Sequence, residues 1–231
     1  MIFEGEYKNG YKTGKRKEYK ENNILFEGEY LYGLRNGEGK EYDPLVNKLE
    51  FEGEYLNGLR WNGIGYHNEN MEYQLMNGNG KVKDFYSNGN ISFEGEYLYG
   101  KRNGKGKEYD YKGELKYEGE YLNGYRNGKG KEYYTKNKLK FEGEYINDKK
   151  WNGIEKEYYF NDSLRFEGEC LNGKRNGKGK EYYFNGSLRF EGEYKNGHKN
   201  GYGKEYDFNG YLIFEGNYKN GKKITNFCII Y

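Results

Sequence analysis

The chain has 231 residues, with 39 basic and 37 acidic side chains and a formal net charge of +2, which excludes the cationic excess of a dedicated nucleic-acid binder. Its mean hydropathy of −1.29 is that of many disordered chains, but 30 Tyr, 13 Phe and 2 Trp make it 19 % aromatic, and disordered segments lack aromatics. With 37 Gly and 1 Pro the composition disfavours helix and favours strands joined by turns, and no apolar run approaches the ~18 residues of a membrane span.

Met1 to Glu6 carries no basic stretch followed by an apolar one, so no secretory signal is read. Cys170 and Cys228 are too few for a disulfide framework or a structural zinc site, and the expected compartment is the reducing cytosol. From Phe3 the string Phe-Glu-Gly-Glu-Tyr, or a near copy, returns at Phe26, Phe51, Phe93, Tyr117, Phe141, Phe166, Phe190 and Phe214, a period of about 24 residues. The longer gap from Phe51 to Phe93 fits two units, the second degenerate, with Asn77-Gly78-Asn79-Gly80-Lys81 keeping the downstream half of the pattern. The expectation is about ten units filling residues 1–231 as one domain. They start near 3, 26, 51, 67, 93, 117, 141, 166, 190 and 214, and a C-terminal cap covers 222–231.

The unit from Phe93 to Lys116 carries the physics. In Phe93-Glu94-Gly95-Glu96-Tyr97 successive side chains alternate between the faces of a strand. A loop, Tyr99-Gly100-Lys101-Arg102-Asn103-Gly104, follows, then a second strand in which Gly104 and Gly106 share one face and Lys105 and Lys107 the other. Asn-Gly, the strongest short hairpin signal, recurs throughout. Pairing Gly95 with Gly106 sets Tyr97 against Gly104, Glu94 against Lys107 and Glu96 against Lys105 within the hairpin. Each tyrosine ring then lies on bare backbone, and each carboxylate meets an ammonium for ~0.2–1 kcal/mol. A one-residue slip would set Glu against Gly and Tyr against Lys, so the pattern selects its own register. A lone hairpin is marginal in water; stacked hairpins give an all-β fold, an elongated single-layer solenoid.

The pattern (Phe/Tyr)-Glu-Gly-Glu-Tyr-x-Asn-Gly-x-Arg-Asn-Gly-x-Gly-Lys-Glu-Tyr resembles the MORN repeat (membrane occupation and recognition nexus) over essentially the whole chain. It recurs at Tyr117-Glu118-Gly119-Glu120-Tyr121 with Asn127-Gly128-Lys129-Gly130, and at Phe190-Glu191-Gly192-Glu193-Tyr194 with Asn200-Gly201-Tyr202-Gly203. The connectors Tyr183-Phe184-Asn185-Gly186-Ser187-Leu188 and Phe208-Asn209-Gly210-Tyr211-Leu212 are similar to a MORN variant found in bacterial and antitoxin-like proteins. Tyr usually stands where animal and plant repeats have a first-strand Trp, and Cys170 takes that place once. The resemblance implies a twisted β-sheet used as a scaffold, dimerisation or partner-binding element, and lipid binding is also proposed for the family.

The Glu-Gly-Glu pairs recur in nearly every unit, and catalytic sites are not tiled in this way; they read as partners for lysine. Gly104 to Lys107 and Gly177 to Lys180 lack the spacing of a phosphate loop. His67 and His198 stand without a nucleophile or ligand set around them. No enzyme, cofactor or metal site is read.

Three sets of candidate interaction residues remain. The basic loop residues Arg35, Arg60, Lys101, Arg102, Arg126, Lys174 and Arg175 recur once or twice per unit, and stacking would align them along one edge facing anionic lipid or an acidic partner. The competing and favoured reading is a solvated edge that blocks aggregation. Trp61 and Trp151 each stand before an Asn-Gly as if inserted, with Ile64 and Ile154 after it; they read as apolar hot spots for a partner, against a fold-back over their own hairpins. Cys228, in a terminal Cys-Ile-Ile-Tyr, is a lipidation candidate, against a closing apolar strand. The expected function is a non-enzymatic interaction scaffold with a protein partner. The alternatives are a peripheral membrane tether and an antitoxin-like binder of a toxin enzyme. A homodimer and a phospholipid surface are further partners the sequence admits, with a cytoplasmic, membrane- or cytoskeleton-associated location.

Overall fold

Two consecutive residues of positive φ form the turn whose twist matches antiparallel strands. Such pairs recur at Tyr32-Gly33 (φ 49° and 85°), Asn57-Gly58 (51° and 86°), Tyr99-Gly100 (50° and 73°), Asn123-Gly124 (53° and 95°) and Asn196-Gly197 (51° and 89°). Each of these loops is therefore two residues long, and the Lys101–Gly104 segment expected in a loop lies in a strand.

The computed structural model describes residues 2–4 and 7–224; most of the expected cap, including Cys228, lies outside them. By contacts the chain forms unit 1, Met1–Tyr125, and unit 2, Arg126–Tyr231. Unit 1 holds β1 (Ile2–Glu4), β2 (Tyr7–Lys8), β3 (Tyr11–Lys12), β4 (Gly14–Lys20), β5 (Asn23–Leu31), β6 (Leu34–Asp43), β7 (Lys48–Leu56), β8 (Leu59–His67), β9 (Asn70–Leu75), β10 (Gly80–Phe85), β11 (Ile91–Leu98), β12 (Lys101–Tyr109) and β13 (Leu115–Leu122). Unit 2 holds β14 (Tyr125–Tyr133), a single 3₁₀ turn at Thr135–Asn137, β15 (Leu139–Ile146), β16 (Lys149–Tyr158), β17 (Leu164–Leu171), β18 (Lys174–Tyr182), β19 (Leu188–Lys195), β20 (His198–Tyr206), β21 (Leu212–Lys219) and β22 (Lys222–Lys223). Every pairing is antiparallel between strands adjacent in the chain, save β1 with β4, around the small β2–β3 pair.

The expected register is realised, but across a different pair of strands. Within the β11–β12 hairpin Gly95 faces Gly106 and Glu94 faces Lys107, whereas Tyr97 faces Arg102 because the strand bulges. Gly104, at φ 74°, supplies the left-handed conformation that such a bulge uses. The full set of four pairs forms between successive repeats: Gly104 with Tyr121, Lys105 with Glu120, Gly106 with Gly119 and Lys107 with Glu118. Asn-Gly therefore marks a turn in some places, as at Asn123-Gly124, and a bulge in others, as at Asn103-Gly104.

The glycine pair is the bed of a phenylalanine as well as of a tyrosine: a Cβ on Gly179 would lie 3.0 Å from both the Phe166 and the Tyr194 rings. A Cβ on Gly28 would lie 2.7 Å from Phe26 Cζ, and one on Gly95 would lie 2.7 Å from Phe93 Cζ. Phe26, Phe51, Phe93, Phe141 and Phe190 are wholly buried. The tyrosines stand edge-on to them: Phe26 meets Tyr30 at 5.5 Å and 90°, and Tyr55 of the next repeat at 5.0 Å and 87°. The geometry suits the attraction between ring edge and ring face. It also follows from the hydroxyl, which must reach a polar partner when the ring is buried: Tyr121 donates to Glu108 at 2.8 Å and Tyr194 to Glu181 at 2.8 Å.

The glycine rule is broken by Arg16 opposite Gly28 and Glu155 opposite Gly168, and by two apolar side chains in one repeat. Opposite Gly63 in β8 stands Leu75, and opposite Gly95 in β11 stands Val82. Both occupy central glycine places and both are buried. Elsewhere at least one residue of each central pair is glycine, whereas β9 and β10 both carry a side chain there and do not pair along their length. β9 and β10 are joined by one bridge, Met76 to Asn79, and unit 1 is divided between a sheet ordered β1-β4-β5-β6-β7-β8-β9 and a second that begins at β10. Between them lies a cavity of about 550 Å³ lined by residues of both.

Candidate functional site

Because each turn consumes only two residues, the basic residue after it enters the strand and faces the aromatic side. Arg35 lies 4.1 Å over the Phe26 ring, Arg102 4.0 Å over Phe93, Arg175 3.7 Å over Phe166 and Lys199 3.8 Å over Phe190, which combines cation–π attraction with cover from the aliphatic stem. The heads are then taken by glutamates of successive repeats. In unit 1 Arg35 bridges Glu18 at 3.2 Å and Glu41 at 2.8 Å, and Arg60 continues from Glu41 at 2.8 Å to Asp84 at 3.2 Å. In unit 2 Arg175 spans Glu157 and Glu181, Lys199 spans Glu181 and Glu205, and Lys223 reaches Glu205 at 2.7 Å. Burial pushes the Glu41 carboxyl up, but Arg60 and Arg35 outweigh it and hold the group below the usual range.

Arg35, Arg60, Arg102 and Arg175 are thus internal ion-pair partners rather than an outward loop edge. Lys101 and Lys174 are exposed, and Arg126 is half-buried with its backbone N–H donating to Asp148. On the opposite face the cross-strand pairs form as expected, for example Lys40 with Glu52 at 3.0 Å and Lys131 with Glu142 at 3.1 Å; such exposed pairs each add little stability.

Trp61 is not an insertion, whereas β16, which carries Trp151, is one residue longer than β18 and sets Gly153 against Cys170 and Glu155 against Gly168, so Trp151 is an added residue relative to the next repeat. Register sets Gly63 against Gly53 and Arg60 against Tyr55, leaving two residues between Arg60 and the central glycine where Arg35 and Gly39 have three. The missing residue is the left-handed bulge glycine. Trp61 is half-buried and stacks on Tyr99 at 6.4 Å and 16°; Trp151 is exposed. Ile64 and Ile154 face Glu52 and Glu142, the places of Lys40 and Lys131 in other repeats. Ile64 lines an open groove of about 840 Å³ with Lys17, Glu27, Lys40 and Glu52. Trp61 and Ile64 lie in unit 1, and Trp151 and Ile154 in unit 2.

An aromatic edge was not singled out from the sequence. In unit 2 the connectors carry Phe160, Phe184 and Phe208, all exposed, Phe160 completely so. Loop-to-loop hydrogen bonds hold them in step: Asn161 and Ser163 donate to the Phe184 carbonyl at 3.0 Å, and Ser187 to that of Phe208 at 3.2 Å. The rings of Phe184 and Phe208 are 5.4 Å apart. The signal was present as one Phe per period just before Asn-Asp or Asn-Gly.

The cavity of unit 1 concentrates charge. Arg60 gives Glu41 two contacts of 2.8 Å, donates to the Tyr73 hydroxyl at 2.6 Å and reaches Asp84 at 3.2 Å, leaving Glu50 at 3.7 Å. Burial raises the Glu50 carboxyl to about 7, with Glu41, Asp43 and Asp84 adding to burial and Arg60 opposing it. A carboxyl raised on folding favours the folded state while protonated, and that advantage over an ionised group is lost as pH climbs from the unfolded value to about 7. Glu50→Gln is therefore neutral near pH 4 and stabilising at pH 8. After discounting for partial exposure the gain is about 1 kcal/mol, a rise of ~3 °C in thermal unfolding. Equal effects at both pH values would contradict the assignment.

Among the described residues no cluster of three or more His, Cys, Asp or Glu is placed to hold a metal ion. The MORN repeat profile matches residues 3–15, 26–44, 93–114, 117–138 and 190–210, and the MORN repeat variant matches 78–99 and 175–196. No curated protein matches the chain.

Proposed function

Since the chain belongs to the MORN repeat family, we propose that it is a non-enzymatic scaffold that docks a protein partner, acting in the cytoplasm. The observation that carries this reading is the row of exposed Phe160, Phe184 and Phe208 on loops tied to one another, apolar area of the kind that marks interaction surfaces. Exposed Trp151 and Ile154 add apolar area in the same unit. The inward turn of Arg35, Arg60, Arg102 and Arg175 favours a protein partner over an anionic-lipid tether, because their charges are already satisfied by glutamates.

The test compares capture of partners from native-cell extract by the intact protein and by a Phe160→Ser/Phe184→Ser/Phe208→Ser variant. Capture of a specific protein falls at least about tenfold, while thermal unfolding shows that the variant is still folded, its small loss coming from Phe208, which packs on Tyr183 and Phe184. Neither protein floats with vesicles of phosphatidylserine and phosphatidylcholine. Flotation of the intact protein, or capture untouched by the triple change, would count against this reading.

A further inference from the structure

Two departures from the repeat coincide at the unit 1 cavity. The first is steric: Leu75 and Val82 fill glycine places where the two sheets part. The second is electrostatic. In three of the four repeats of unit 2 the residue before the first-strand aromatic is Lys140, Arg165 or Arg189, and each pairs with the glutamate of the preceding strand: Glu132 at 2.8 Å, Glu157 at 2.8 Å and Glu181 at 3.8 Å. In β7 the same place holds Glu50, beside the carboxylate of Glu41. Leu25, Ser92 and Ile213 hold this place in other repeats, so Glu50 sets an acid where the fold otherwise puts a cation or an uncharged side chain.

Arg60 does not make good the loss. Its donors are committed to Glu41, Tyr73 and Asp84, and among the described residues its 3.7 Å contact is the ion pair recorded for Glu50. Arg35, the other guanidinium on Glu41, is shared with Glu18. Lys48 and Lys83 also line the cavity, but Lys48 donates to Asn68 and Lys83 pairs with Glu72. The space left has an acidic wall at Glu50 and Asp84, an apolar floor at Leu75 and Val82, and a rim where His67 stacks on Phe85 at 3.8 Å. A volume of about 550 Å³ is within the range of side-chain and small-ligand sites.

We propose that this cavity is a socket for a lysine or arginine side chain of the protein partner, its charged head at Glu50 and its stem over Leu75 and Val82. The proposal rests on the partner-docking reading and names one contact of that surface. The chemistry matches: a charge-assisted hydrogen bond supplies the cation that Lys140, Arg165 and Arg189 supply in unit 2, and an alkyl stem packs within the apolar part of the lining.

The test is methyl NMR of Leu75 and Val82 in the full chain, titrated with butylammonium and with ethylguanidinium, and with butanoate as control. Both cations shift these methyls saturably, and butanoate does not. Glu50→Lys restores the residue type used at Lys140, so the fold is kept, and cation binding weakens at least about tenfold. Binding is also weaker at pH 5.5 than at pH 8, since Glu50, facing Glu41 and Asp43 of β6, Arg60 of β8 and Asp84 of β10, must be ionised to hold a cation. Absence of methyl shifts, equal shifts with butanoate, or undiminished binding by Glu50→Lys would overturn the socket. Partner capture that survives Glu50→Lys but not the triple Phe change defeats the socket and leaves the scaffold reading. Cation binding without any captured protein does the opposite.

Discussion

Gly28→Ala destabilises the protein by about 3 kcal/mol, read in urea or thermal unfolding as a fall of roughly 6–12 °C. The methyl has nowhere to go. It would lie 2.6 Å from the Glu38 carbonyl oxygen, 2.6 Å from Gly39 Cα and 2.7 Å from Phe26 Cζ. Two of these are backbone of the paired strand, which cannot move without breaking the ladder, and the third is a ring already closed in by Tyr30, Tyr55 and Arg35. The fitting control is Gly197→Ala, at a turn with φ +89° and nothing within 4 Å, where only backbone strain operates, about 1 kcal/mol. Equal losses at the two sites would mean that glycine matters here for flexibility and not for the space it leaves.

Phe190→Ala costs more, about 3–5 kcal/mol. The ring is wholly buried, touches Tyr194 at 5.6 Å and Tyr218 at 5.4 Å, and carries the Lys199 ammonium at 3.8 Å. Its loss opens a hole beneath two repeats at once and leaves the cation between Glu181 and Glu205 without its seat. Phe214→Ala removes a ring that is only half-buried and has Tyr218 at 5.2 Å as its recorded ring neighbour, so its cost is about half as large. Denaturant unfolding of the two variants orders them; a larger loss at Phe214 would contradict a core built from rings shared by neighbouring repeats.

The repeat, its period and the central pairing of Gly95 with Gly106 were legible because alternation of residue type and the glycine spacing admit one alignment. What could not be separated was the use of Asn-Gly. Asn123-Gly124 makes a turn and Asn103-Gly104 belongs to a bulge, yet the dipeptides are identical and only the pairing distinguishes them. That ambiguity misplaced the arginines: once Arg102 is taken out of the loop and into β12, it must face Phe93. The cavity was hidden for another reason. Leu75 and Val82 are ordinary strand residues unless one knows that their places mostly hold glycine, and Glu50 is one acid among 37 unless set in the column that holds Lys140, Arg165 and Arg189. The last comparison needed only the sequence.

The sharing of each internal glutamate by basic residues of two repeats bears on how such a chain can change length. A segment of about 24 residues brings one such acid and one such base together. Tandem duplication or excision of a whole segment therefore restores the alternation at the new junction, whereas a deletion of half a segment strands one charge inside. Gains and losses in whole periods therefore keep the internal charges paired.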